Sequence, residues 1–91
     1  MIFHLTKEMA EIIERAYQNN LYIEFYHGDN EYLRYAVTQY IFKIMRETTN
    51  NRYETMVSYP IEELHTTNVG NLLIHTKTGI MFEFKTKEVE G

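Results

Sequence analysis

The sequence predicts an α+β domain in which two helices pack on one face of a four-stranded mixed or antiparallel sheet, in the order α-β-α-β-β-β. Apolar residues recur at helical spacing near the N-terminus and again between residues 32 and 47. The stretches 21–27 and 72–84 instead alternate with the period of two that belongs to strands.

Each element has its own signal. Thr6 can cap a first helix, with Glu8 in its opening turn and Met9, Ile12, Ile13, Ala16 and Tyr17 on one face. Asn19-Asn20 supplies a left-handed exit. Leu21, Ile23, Phe25 and His27 then share one side of a strand, with Tyr22, Glu24 and Tyr26 on the other. His27-Gly28-Asp29-Asn30 is turn chemistry.

From Tyr32 to Glu47 residue preference and residue spacing disagree. Tyr, Val, Thr and Ile favour a strand, but Leu33, Ala36, Val37, Tyr40, Ile41, Ile44 and Met45 fill a helical stripe, so the spacing predicts a second helix. Tyr53 to Tyr59 reads as a strand, and Pro60-Ile61-Glu62-Glu63-Leu64 as a single helical turn opened by proline. The last two strands can be placed in register. A three-residue loop, Lys77-Thr78-Gly79, sets Thr76 opposite Ile80 and gathers Leu72, Ile74, Ile80, Phe82 and Phe84 on one face. Leu73, His75, Met81, Glu83 and Lys85 take the other face.

With 91 residues, 44% of them hydrophobic and 24% charged, the chain has the size and composition of one ordinary globular domain covering residues 1–91. A domain this small buries only about 60–65% of the surface its unfolded chain exposes, which favours self-association. The net charge of −4, with no basic run, argues against general binding to duplex nucleic acid. The absence of cysteine removes disulfides, thiolate nucleophiles and Cys-ligated zinc. The opening MIFHLTKEMAEII lacks the charged and apolar regions of a signal peptide, and no stretch is apolar enough to span a membrane, so a cytoplasmic location is expected. Richness in Phe, Tyr, Met, Ile, Asn and Lys, against few Gly, Ala, Arg and Pro, points to an AT-rich genome such as that of a low-GC bacterium or its phages and mobile elements.

The inventory for chemistry is short. Ser58 is the only serine and sits outside any nucleophile-elbow pattern, and there is no Gly-rich phosphate loop. His4, His27, His65 and His75 lack the H-x-H or H-x-x-x-H spacing of a local metal motif, so no metal and no cofactor is expected. The turn His27, Gly28, Asp29 and Asn30, lying between a strand end and a helix start, is the candidate loop for a small ligand or anion. A minimal enzyme would rest on His27 and Asp29.

The stronger signal lies on the second helix, where Tyr32, Tyr35, Gln39, Phe42 and Arg46 form a stripe nearly opposite the first one. Aromatics with arginine are the composition of interface hot spots, and Leu73 and Met81 are left over on the last hairpin. Either a partner or the first helix can cover that stripe. These residues lead to a small non-catalytic protein-binding module, expected to be a homodimer. Size and composition suggest a phage or mobile-element accessory protein that modulates or inhibits a host protein. The alternative is a nucleic-acid or nucleotide-binding regulator using the tyrosines, Tyr22 and Tyr26 among them, with Arg34, Lys43, Arg46 and Arg52.

Overall fold

The structure, a computed structural model, describes residues 5–28 and 32–87. Among these residues there is one helix, α1 (Lys7–Gln18), and six strands: β1 (Ile23–Phe25), β2 (Leu33–Val37), β3 (Ile41–Glu47), β4 (Tyr53–Thr66), β5 (Leu72–Thr76) and β6 (Met81–Phe84). Every strand pairs antiparallel with the next in sequence, giving one curled meander in the order β1-β2-β3-β4-β5-β6. The expected two helices on a four-stranded sheet are therefore replaced by one helix on six strands. No helix of the described residues is long and apolar enough to cross a membrane.

The first helix follows its signals. Thr6 Oγ1 accepts a hydrogen bond from the Met9 amide at 3.2 Å, and Asn20 leaves the helix at φ 61°. Ala10 and Ile13 are fully buried and Met9 and Tyr17 pack beside them, while Ile12 stays exposed. The Glu14 carboxylate accepts from the Thr66 amide at 3.0 Å, tying α1 to the end of β4.

The expected second helix is the β2–β3 hairpin. Its turn is organised by Thr38, whose Oγ1 accepts from the amides of Tyr40 and Ile41 at 3.2 and 3.0 Å, an arrangement that competes with helix. Leu33, Tyr35 and Val37 point inward from β2, and their cross-strand partners Arg46, Ile44 and Phe42 lie on the same face of β3. Inward positions are thus odd-numbered before the turn and even-numbered after it. This change of phase hides the period of two over the whole stretch, and the apolar residues of both strands sum to a helical stripe by coincidence.

A second correction has a similar cause. Pro60 to Leu64 is not a helical turn but the middle of β4, where the strand changes partner. Residues up to Pro60 pair with β3, and residues from Ile61 pair with β5. The Pro60 carbonyl accepts from the Lys77 amide at 2.9 Å, so it faces the β5 side, and the proline's missing N–H costs the β3 ladder nothing. A register shift between Ile61 and Glu63 leaves Glu62 as the extra residue, which lets Ile61 and Leu64 both face the core. That bulge produces the i, i+3 spacing that resembles a helical turn.

The last hairpin has the register its sequence predicts. Leu72 faces Phe84, Ile74 faces Phe82, and the Thr76 amide donates to Ile80 at 3.0 Å across a turn in which Gly79 has φ 88°. Buried Thr76 closes this turn by accepting from the Ile80 amide at 3.1 Å.

The curl places the core inside the sheet, with α1 over it. Phe42 lies 5.1 Å from Phe82 and 6.0 Å from Phe84, and Phe25 meets Phe84 edge-on at 5.4 Å. Aromatic pairs in such arrangements contribute about 0.5–1.5 kcal/mol beyond their buried area. These rings come from strands at both ends of the meander, so they hold the curl closed.

Candidate functional site

The structure disperses the residues expected to form one interface. Tyr35 and Phe42 face inward because of the phase change at the turn: Phe42 is fully buried, and the Tyr35 ring stacks at 5.3 Å on Phe25. They are core residues and not an outward stripe. Tyr32 is exposed ahead of β2, Gln39 lies in the β2–β3 turn, and Arg46 is held by Glu54 at 2.8 Å. Leu73 and Met81 do lie on the outer face, opposite His65 and His75 respectively.

The candidate ligand loop changes meaning as well. Among the described residues the element that follows it is β2 and not a helix, so the expected helix N-terminus is replaced by a strand. His27 Nε2 lies 3.0 Å from the Lys85 carbonyl, where its N–H donates and ties the end of β1 to the chain after β6. The hollow formed by Leu5, His27, Gly28, Lys85 and Lys87 is about 40 Å³, room for little more than water. Asp29 and Asn30 lie outside the described residues.

On the outer face of β1–β4, alternation brings together residues that are distant in sequence. The Arg34 guanidinium lies 3.9 Å from the centre of the Tyr53 ring and 4.9 Å from that of Tyr26, and it pairs with Glu24 at 3.2 Å. It also donates to the Tyr26 hydroxyl, while the Tyr22 hydroxyl donates to Glu24 at 2.8 Å. Burial, then the hydrogen bond to Glu24, raises the Tyr22 phenol above its ordinary pKa. Burial, then Tyr26, does the same for Tyr53. Arg34 spans the ring faces on which nucleic-acid bases would stack. The other basic residues do not gather there as one patch, since Lys43 shares this face, Arg46 belongs to the opposite one and Arg52 lies in the β3–β4 turn.

The outer face of β4–β6 is different. Glu63 and His75 are direct cross-strand partners, and His65, two residues along β4 from Glu63, lies on the same face. The imidazoles of His65 and His75 stack with centroids 5.6 Å apart and planes at 22°. Glu63 Oε1 lies 3.6 Å from His65 Nδ1, which is shielded from solvent and has no hydrogen-bond partner. One ligand atom from each of the three residues lies within 4.8 Å of the other two. Spacing along the chain does not reveal Glu63 and His65 as partners of His75, because strand pairing and not sequence proximity brings the three together. The available signal was Glu-x-His on a strand, set beside the predictable register of His75.

A third feature is an apolar rim where the β2–β3 turn, the middle of β4 and the β5–β6 turn meet. Two backbone hydrogen bonds join these segments, the Ile61 amide donating to Tyr40 at 2.8 Å and the Lys77 amide to Pro60 at 2.9 Å, and Thr76 donates to Ile80 at 3.0 Å within the β5–β6 turn. Tyr40 is 70% exposed, Met81 61%, Ile80 43% and Ile41 37%. Comparison with protein-family models, with curated proteins and with solved structures finds no match for this chain.

Proposed function

We propose that this chain is a non-catalytic protein-binding module that docks through the apolar rim, and that the partner it takes is a second copy of itself. The observation that carries the proposal is the gathering of exposed Tyr40, Ile41, Ile80 and Met81 on segments that the backbone ties together. Scattered apolar side chains are normal on a surface, but several gathered on neighbouring segments, an aromatic among them, have the makeup of an interface centre. Exposed Glu62 and Lys77 flank the rim with opposite charges, an arrangement that a two-fold axis makes self-complementary. A 91-residue chain also has a limited core of its own and gains stability from association.

Sedimentation velocity over a wide concentration range tests the proposal. The wild type should form a dimer on concentration, and Tyr40→Glu with Ile80→Glu should remain monomeric with an unchanged far-ultraviolet spectrum. A wild type that stays monomeric throughout, or a double variant that dimerises as well as the wild type, overturns the proposal.

A further inference from the structure

We propose that Glu63, His65 and His75 form a binding site for a divalent transition-metal ion of the zinc type. Two neutral imidazoles and a carboxylate are a ligand set suited to Zn²⁺, Co²⁺, Ni²⁺ or Cu²⁺, and unsuited to Mg²⁺ or Ca²⁺, which take oxygen ligands. The backbone builds the arrangement. Cross-strand pairing sets Glu63 against His75, alternation returns His65 to the same face, and the bulge at Glu62 fixes the phase of this half of β4.

The local geometry points to a ligand and not to a closed hydrogen-bond network. His65 Nδ1 is shielded from solvent and has no hydrogen-bond partner, and the nearest carboxylate oxygen stands 3.6 Å away. Leaving a polar atom desolvated and unpartnered is costly, and a metal ion coordinated by that nitrogen removes the cost. Tetrahedral ligation at 2.0–2.1 Å needs ligand atoms roughly 3.3 Å apart. The widest separation of 4.8 Å therefore has to contract by about 1.5 Å, within reach of χ rotations of side chains on a fixed sheet. Met81, the cross-strand neighbour of His75, is exposed on the same outer face. The metal site does not depend on the rim reading, because its variants leave Tyr40 and Ile80 in place.

Titration of the full chain with Co²⁺ and with Zn²⁺ tests the site. The wild type should bind one equivalent, with the intense visible absorption of four-coordinate Co²⁺, and Zn²⁺ should raise the thermal midpoint while Mg²⁺ leaves it unchanged. His65→Gln and His75→Gln should each weaken binding by roughly tenfold or more, Glu63→Gln should weaken it less, and His27→Gln should not affect it. Far-ultraviolet spectra establish that each variant is folded, and the double variant His65→Gln, His75→Gln serves as the reference. Saturable binding that is equal in the wild type and the double variant, or no saturable binding by the wild type, overturns the proposal.

Discussion

On the outer face of β1–β4, Arg34 is surrounded by Tyr26, Tyr53 and Glu24, lying against the two rings and paired with the carboxylate. On the outer face of β4–β6, His65 Nδ1 meets no hydrogen-bond partner, and Glu63 stands just beyond hydrogen-bond distance. The same strand, β4, contributes to both faces, and the same alternation rule builds them. The first half uses Glu24, Tyr26, Arg34 and Tyr53 to stabilise its outer face, while the second brings Glu63, His65 and His75 together with one imidazole nitrogen unpartnered.

Because both halves share one core, the largest expected effect is at the residue that joins them. Phe42 comes from β3, yet its ring packs against Phe82 and Phe84 of β6 as well as Tyr35 of β2. Phe42→Ala should lower the unfolding free energy by about 3–5 kcal/mol, measured by urea denaturation. The loss should appear in both halves at once as a single cooperative transition. Retention of full stability, with only self-association affected, would mean that Phe42 is a surface residue and that the curl is held by something else.

Phe42 also shows where the sequence is legible and where it is not. Its apolar character and the burial it would need somewhere are plain, and so are the capped helix at Thr6 and the register of the last hairpin, because each rests on local chemistry at known spacing. The β2–β3 hairpin is obscured by the phase change across Thr38 to Tyr40, and β4 by the bulge at Glu62. In both places one displaced residue turns a period of two into something close to a period of 3.6, so pattern alone favours the wrong element even where residue preference favours the right one. The tyrosine side of β1 is legible from alternation, but its partners Arg34 and Tyr53 are not until that hairpin is folded. Glu63, His65 and His75 stay hidden for a related reason: nine residues separate the two histidines, and only strand pairing makes them neighbours.

The contrast between the two outer faces can be sharpened by removing one residue from each. Arg34→Ala should cost about 1–2 kcal/mol, combining two cation–π contacts with a partly exposed ion pair. Arg34→Lys should recover only part of this, since an ammonium cannot lie flat against both rings. His75→Gln, without metal, should shift stability by no more than about 0.5 kcal/mol, as for most surface substitutions. Equal losses from Arg34→Ala and His75→Gln, measured by the same denaturant titrations, would remove the distinction between a stabilising face and a recognition face.

The smallest effect concerns the inner face and is visible only in alkali. Burial holds the Tyr35 phenol above the ordinary tyrosine pKa. The native state therefore keeps its proton more tightly than the unfolded chain does. The resulting contribution to stability is present in full below the unfolded value of about 10, and it is lost as pH rises through the higher native value. Tyr35→Phe has no proton to lose, so its stability should fall less steeply above about pH 10 than that of the wild type, while the two differ little in slope near neutrality. Some alkaline slope should survive in the variant, because Tyr22 and Tyr53 on the outer face are raised as well. Identical slopes above about pH 10 for the wild type and Tyr35→Phe would assign the whole alkaline effect to the outer network and none to the core.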